Sequence, residues 1–363
     1  MKPDPCSVLI FIDEGRMFHQ LLDQSDRFPD TSPILMLTAL PFCGLIVHDS
    51  VRFMNKYAKQ PIPYDSQAVN RLRNHSKSLA DTKMPVEEYA KSAQQIVDTL
   101  GATMKTHTGP FASVLNALQP DMGIFYYDKK PILTTYIISR YIGIERINDH
   151  ESIKQLGYEM GQAAAINYEF TNLIGMDTSA YQSNRFETNH IDCHYSSLVQ
   201  PLAEKGLSNQ ACFFALSEIL TQMNSIDSLR KAGFFSEALY LKFGTSTLEA
   251  ANKSISKLAR YYGKDPESFN CTRQGLSIMS SVMPHETRKR IERIRPLRNA
   301  FIHYDFTRCI EKRSCHGLTE NEVLDQAVNT VGFANTTEYL DWLHDTLCNC
   351  EERMSSLLEL PTV

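Results

Sequence analysis

Residues 208–223 read SNQACFFALSEILTQM, and this stretch decides the fold class. Apolar side chains recur in it three or four residues apart, which is the spacing of one buried helix face. Six side chains share that face: Cys212, Phe213, Leu216, Ile219, Leu220 and Met223. The pattern predicts an amphipathic α-helix, and the segments that follow it repeat the same spacing down to residue 358.

The rest of the C-terminal half contains further helical segments with recognisable ends. Gly244 is predicted to end a helix, because glycine accepts the left-handed backbone that follows many helices. Ser246 and Glu249 have the spacing of a capping box, which predicts that a new helix begins there. The predicted helices cover about Ser228–Phe243, Ser246–Tyr262 and Phe269–Val282, a polar helix from Pro284, another from Pro296, and the segments Glu320–Val331 and Thr336–Leu358.

The N-terminal half is predicted to be helix-rich with a small sheet. The β-rich run Val8–Ile12 predicts one strand, and Gly123–Asp128 predicts either a second strand or the entry to an apolar helix. Residues 175–189 are rich in turn-forming side chains. The predicted helices are Val69–Ser78, Val86–Leu100, Ile132–Ile144 and Ile153–Ile174.

These patterns together predict a mainly α protein in two parts. Residues 1–200 form a helix-rich region, and residues 207–358 form a helical bundle. Pro201 and Gly206 lie at the predicted boundary, because both residue types interrupt regular structure.

Composition and charge exclude several classes of protein. The chain has 363 residues, 16 glycines and 16 prolines, which excludes collagen-like and low-complexity chains. A net charge of −5 argues against a protein that coats nucleic acid through bulk charge. Nine irregularly spaced cysteines and no secretory signal predict a cytoplasmic protein with reduced thiols. The apolar run Ile34–Val47 contains Pro41 and is predicted to be too short to span a membrane.

Residues 294–304, IRPLRNAFIHY, carry the functional argument. Pro296 suits the first turn of a helix, because backbone N–H groups there have no acceptor within the helix and the missing N–H of proline costs no hydrogen bond. Asn299 and His303 are four residues apart and stack on one face, and Arg298 lies at the same edge. Leu297, Phe301 and Tyr304 are predicted to anchor the helix in the core.

An arginine, an amide and a histidine on one helix suit phosphodiester chemistry. A histidine exchanges a proton near neutral pH, and an arginine holds a phosphate by two contacts. RNA supplies its own nucleophile, the 2′-hydroxyl, so that no metal or other cofactor is expected.

The run Arg298-Asn299-Ala300-Phe301-Ile302-His303 resembles the motif of HEPN domains (higher eukaryotes and prokaryotes nucleotide-binding). The resemblance covers about residues 207–358 and implies a HEPN-like helical bundle. Many members are metal-independent ribonucleases of toxin and antiviral-defence systems, and they usually form dimers with a composite site. The resemblance implies that Arg298 and His303 are catalytic, that Asn299 supports them, and that RNA and a second copy of the chain are the partners.

A basic run precedes the motif and is predicted to contact the phosphates of the substrate. The predicted substrate-binding residues are Arg288, Arg290, Arg293 and Arg295, together with Tyr304. An acidic C-terminal helix with Glu338, Asp341 and Asp345 is expected to offset part of the repulsion between two such basic helices in a homodimer.

Three alternatives stay open from the sequence. In the first, Arg298 pairs with a carboxylate of the bundle and His303 has a structural role. In the second, the chain is a non-catalytic module that binds nucleic acid, a nucleotide or a protein. In the third, four residues of zinc-ligand type form a metal site: Cys315, His316, His344 and Cys348.

Overall fold

A computed structural model describes residues 3–57, 84–104, 107–142, 185–310 and 317–362, together with scattered positions between 70 and 79 and between 151 and 165. The structure is 74% helical, with 13 α-helices and one three-stranded sheet in these ranges, so the predicted mainly α fold with a small sheet is confirmed. The helices are α1 (Pro5–Arg27), α2 (Ser32–Tyr57), α3 (Val86–Met104), α4 (Ala112–Leu118), α5 (Thr135–Ile142), α6 (Tyr195–Glu204), α7 (Gln210–Lys231), α8 (Glu237–Tyr262), α9 (Arg273–Ser281), α10 (His285–Arg293), α11 (Arg295–His303), α12 (Glu320–Asn329) and α13 (Thr336–Leu358).

The core is built around α7 and α8, which pack against each other and against α13. Helix α7 has 17 buried residues among its 22, including polar ones, so it lies inside the protein rather than on its surface. Helices α1 and α11 each contact both α2 and α8, so that α1, α2 and α11 pack on the same core. The buried core therefore contains residues from both sides of the predicted domain boundary, and the division at about residue 200 stays a prediction.

The sheet has the strand order β2-β1-β3 and is antiparallel throughout. Strands β1 (Met122–Tyr127) and β2 (Lys130–Thr134) form a hairpin, and β3 is Asn189–Cys193. The turn residues Asp128 and Lys129 both have positive φ, at 48° and 64°, as tight two-residue hairpins require. Of the two alternatives for residues 123–128, the structure shows the strand. Strand β2 overlaps the start of the helix expected from Ile132, and β3 begins at Asn189, the last residue of the turn-rich region.

The predicted strand Val8–Ile12 is wrong, because these residues lie within helix α1. The side chain of Asp4 accepts a hydrogen bond of 2.8 Å from the backbone N–H of Ser7 and so begins the helix. A short apolar run has the same appearance in a buried strand and in a buried helix.

Helix α2 runs through Pro41 for 26 residues and extends beyond the apolar run Ile34–Val47 at both ends. Among the described helices it is the one with the length and composition to cross a membrane, with a mean hydropathy of 1.7 in its most apolar window. That window is 72% buried inside the protein. Buried core helices have the same composition, so the absence of a membrane partner stays a prediction.

Gly244 does not end a helix but lies inside α8. A Cβ at this position would lie 3.0 Å from Leu343 Cδ2 and 3.3 Å from Leu347 Cδ1, so the glycine allows α13 to approach α8 closely. The predicted capping box is also wrong, since Ser246 Oγ donates a hydrogen bond to the carbonyl of Lys242 within α8. The break between α7 and α8 falls instead at Gly233, where φ is +86°.

The remaining predicted segments have mixed outcomes. Val86–Leu100 lies within α3, and the last two helices match α12 and α13. The segments Val69–Ser78 and Ile153–Ile174, and positions 175–184, lie wholly or mostly outside the described residues.

We expect Gly244→Val to lower the free energy of unfolding by about 1–3 kcal/mol, because the new side chain would overlap the two leucines of α13. Gly101 in α3 provides the control, because no described atom lies within 4 Å of a Cβ placed there. Gly101→Val should change the stability by less than about 0.5 kcal/mol. Urea denaturation followed by circular dichroism measures both variants, and equal effects would contradict the close packing of α8 and α13.

Candidate active site

Helix α11 begins directly after α10 and carries the motif, as the sequence predicts. Pro296 lies in its first turn, and the helix is anchored by four buried side chains: Leu297, Ala300, Phe301 and Ile302. It ends at Tyr304, whose backbone is left-handed with φ at +49°. Asn299 and His303 lie on the exposed face of α11, one turn apart, towards the C-terminal end of the helix.

His303 lies beside a buried carboxylate of α2. Its Nδ1 is 3.6 Å from Oδ1 of Asp49, and the His303 side chain is 53% exposed whereas that of Asp49 is 4% exposed. His48 Nδ1 lies 3.2 Å from the same oxygen. Burial on its own would raise the pKa of Asp49, but hydrogen bonding by the two histidines and the charge of Lys242 outweigh it and hold the pKa below its usual range. A carboxylate with a lowered pKa therefore lies beside one ring nitrogen of His303, and about half of the histidine side chain is exposed to solvent.

Beneath this pair lies an ion pair that is completely buried. Lys242 Nζ donates a hydrogen bond of 2.5 Å to Glu14, and neither side chain is exposed to solvent. Tyr304 donates its hydroxyl proton to the other oxygen of Glu14, also at 2.5 Å. The ammonium of Lys242 lies 4.1 Å from the centre of the Tyr304 ring. Burial raises the pKa of Glu14, and the charge of Lys242 opposes that shift.

Tyr304 was expected both to bind substrate and to anchor the helix, and the structure supports only the second role. The residue is 1% exposed, and its ring packs against Phe11 and Phe53 with centroid distances of 6.2 and 4.9 Å. With its hydroxyl group on Glu14, the side chain has no surface left for a substrate.

Asn299 and His303 line a cleft of about 640 Å³, which we call the His303 cleft. Four cationic side chains also line it: Lys56, Arg293, Arg295 and Arg308. The acidic side chains on its wall are Glu292 and Asp305, so that the cleft is positive in balance. Two of the predicted substrate-binding arginines, Arg293 and Arg295, thus lie next to His303, and Lys56 and Arg308 are additions that the sequence pattern did not indicate.

Arg298 does not line the His303 cleft, although its Nη1 donates a hydrogen bond of 3.3 Å to Oδ1 of Asn299, which does. Its Nε is 3.5 Å from Oε2 of Glu249, a side chain that is 4% exposed, and Arg298 itself is 15% exposed. It lines a separate cavity of about 50 Å³ together with Phe42 and other residues of α2 and α8. Arg298 and His303 are five residues apart on the helix, so their side chains project in directions about 140° apart around the helix axis. The expectation that the two side chains project together was therefore wrong, and the pairing of Arg298 with a bundle carboxylate is what the structure shows.

Arg288 and Arg290 also have internal partners. Arg288 donates to the carbonyls of Met283 and Ser280, at 2.7 and 2.8 Å, and so holds the end of α9. Arg290 lies over the ring of Phe333, 4.3 Å from its centre. Both side chains stabilise the bundle, which leaves Arg293 and Arg295 as the members of the basic run that line the cleft.

The possible zinc ligands are divided between described and undescribed residues. Cys315 and His316 lie outside the described residues. His344 Nδ1 is 3.0 Å from the hydroxyl of Tyr240, and Cys348 Sγ is 3.8 Å from His344 Nε2. Within the part of the chain that the structure describes, no three or more histidine, cysteine or acidic side chains group so that they could hold a metal ion.

Comparison with family models, with curated proteins and with solved structures found no match to this chain. The resemblance at the motif therefore depends on residues 298–303 of this chain alone. The partners of His303 and Tyr304, namely Asp49, Glu14 and Lys242, had no signal in the sequence, because they come from α1, α2 and α8 and meet only in the folded chain.

We expect Lys242→Met to lower the free energy of unfolding by about 3–5 kcal/mol, because it leaves the carboxylate of Glu14 buried without a countercharge. The double variant with Glu14→Gln should recover part of that loss. Lys231→Met is the control, since Lys231 is 47% exposed and pairs with Asp227 at 3.2 Å, a surface pair worth less than about 1 kcal/mol. Urea denaturation measures all three, and similar losses for Lys242 and Lys231 would contradict the role of the buried pair.

Proposed function

We propose that the His303 cleft binds single-stranded RNA and that His303 acts there as a general acid or base in metal-independent cleavage. The observation that carries this proposal is an exposed histidine, placed 3.6 Å from a buried carboxylate, in a cleft lined by four cationic side chains. A histidine whose ring is held by a carboxylate is suited to move a proton at neutral pH. The surrounding cations favour a polyanionic substrate.

In this proposal the arginine that stabilises the phosphate is Arg295. Its side chain is 67% exposed and lines the cleft, with its Nε 3.9 Å from Oε1 of Glu249, whereas Arg298 is 15% exposed and lies 3.5 Å from the other oxygen of the same carboxylate. The fork of a guanidinium group contacts two oxygens of a phosphate and stabilises charge that develops on them. Asn299 lies one helical turn before His303 and is assigned to orient the phosphate.

The cleavage step uses the 2′-hydroxyl of the RNA as nucleophile. Its oxygen attacks the phosphorus as a base removes the proton, the bond from phosphorus to the 5′-oxygen breaks, and that oxygen receives a proton from an acid. The products are a cyclic phosphate and a 5′-hydroxyl. One histidine serves one of the two proton transfers at a time, so the proposal includes a homodimer in which two copies of α11 meet and each supplies a His303.

A second candidate function is a non-catalytic module that holds RNA in the same cleft. The position of Arg298 favours this alternative, because the arginine of the motif does not face the cleft in which His303 lies. The toxin or antiviral-defence role implied by the resemblance and the cytoplasmic location are part of the first proposal.

We expect the protein to cleave a labelled single-stranded RNA in the presence of EDTA and to release a cyclic phosphate. His303→Ala should lower kcat/KM by about 100-fold or more, since positioned acid–base catalysis contributes about 10²–10⁴-fold. Arg295→Ala should lower it more than Arg298→Ala does. Gel-resolved cleavage kinetics measure all of these variants.

The matched control is His285→Ala, because His285 is an exposed histidine of α10 that does not line the cleft. It should retain the activity of the wild type. Loss of activity in EDTA, or full activity of His303→Ala, would rule out the mechanism. Binding of RNA without turnover by the wild type and all variants would favour the non-catalytic module.

A further inference from the structure

A second cavity, of about 720 Å³, adjoins the His303 cleft. It lies between the first turn of α3 and one face of α8, and we call it the α3–α8 groove. Glu292 and Arg295 line both cavities, so that the two meet at these side chains. A strand that leaves the His303 cleft past Arg295 therefore enters the α3–α8 groove.

A row of cations follows the groove. Lys253, Lys257 and Arg260 are spaced four and three residues apart on α8, which puts them on one helix face, and Lys264 continues the row just after the helix ends. From Lys253 to Arg260 the row spans about 10 Å of helix. At about 3.4 Å per stacked nucleotide, that length corresponds to about three nucleotides.

The members of the row differ in how available they are to a ligand. Lys253 forms an ion pair with Glu249, and Lys257 donates to the carbonyls of Leu79 and Met84 at 3.2 and 2.8 Å. Arg260 and Lys264 are exposed. The two exposed cations of the row thus lie at the end of the groove that is farther along α8, where the charge of Lys264 acts on Glu87, and Arg295 lies where the groove meets the His303 cleft.

The charges on the groove wall favour an anion. Five cationic side chains line it against three acidic ones, which are Glu87, Glu249 and Glu292. Glu249 is 4% exposed and already has Lys253, Arg295 and Arg298 as partners, so little of its charge faces a ligand.

The groove also has an aromatic wall. Tyr261 lines it, and the ring of this residue is supported by Phe269, with 5.0 Å between the ring centres. Cations combined with an aromatic side chain along one groove are the arrangement that binds single-stranded nucleic acid, since phosphates contact the cations and bases stack on the ring.

We infer that the α3–α8 groove binds the part of an RNA strand that flanks the cleaved bond. Arg260 and Lys264 contact two of its phosphates, and Tyr261 stacks on a base. The inference rests on the proposed function in that both need RNA at the His303 cleft. According to this inference, the affinity for long RNA depends on the α3–α8 groove, whereas the cleavage chemistry at His303 does not depend on it.

The test uses the double variant Arg260→Glu/Lys264→Glu and a labelled 12-nucleotide single strand of DNA, which lacks the 2′-hydroxyl nucleophile and therefore resists cleavage. Fluorescence anisotropy should show affinity at least 10-fold weaker than that of the wild type at low salt. The slope of log K against log salt concentration should fall by about 1.4, since two phosphate contacts of a single strand are lost. The cleavage rate of a dinucleotide, which is too short to reach the groove, should be unchanged.

The control is Arg273→Glu/Lys289→Glu, which reverses the same number of charges at exposed positions outside both cavities. It should bind the 12-nucleotide strand within about twofold of the wild type. Equal affinities of the two double variants would overturn the inference, as would a wild type that does not bind the strand or is displaced from it equally well by polyglutamate. A wild type that binds the strand through the groove but cleaves no RNA would leave the groove standing and refute the proposed function instead.

Discussion

The arrangement around α11 depends on one buried ion pair, between Lys242 of α8 and Glu14 of α1. Removing both charges from water is unfavourable by several kcal/mol per ion unless each finds close partners. Here the partners are supplied by other elements, because Tyr304 donates to the second oxygen of Glu14 and its ring faces the ammonium of Lys242. Three helices from both halves of the chain are thereby held in one relative position. The left-handed backbone at Tyr304 ends α11 at the residue that reaches the pair.

The position of His303 follows from that constraint. His303 is the neighbour of Tyr304, so the anchored tyrosine fixes the end of the helix from which the histidine projects. The charge of Lys242 also helps to hold Asp49 in its ionised form, with a pKa below the usual range. The buried network therefore supports the histidine twice, through the backbone and through the carboxylate beside its ring. The cations of the cleft are exposed and come from α2, α10, α11 and the segment after α11, so the same packing gathers them around the histidine.

The sequence predicted the local features of this site better than the distant ones. The spacing of Leu297, Phe301 and Tyr304 correctly gave the buried face of α11, and the four-residue spacing correctly placed Asn299 with His303. The position of Arg298 was predictable too. Arg298 and His303 are five residues apart, so an ideal helix places their side chains about 140° apart around its axis. The match to a known motif nevertheless led to the prediction that both side chains lie on one face. Helix ends were misjudged at Gly244, where glycine serves close packing of α13 and not termination. The partners Glu14, Asp49 and Lys242 are separated from α11 by up to 290 residues of chain, a relation that periodicity along one sequence does not contain.

The most direct measurement is a crystal structure of the protein with a 2′-deoxy oligonucleotide, which binds like the substrate but lacks the attacking hydroxyl. The account predicts a phosphate within hydrogen-bond distance of both His303 and Arg295, with Arg298 still beside Glu249 and His303 still beside Asp49. A phosphate held by Arg298, with Glu249 released and His303 turned away from Asp49, would contradict it.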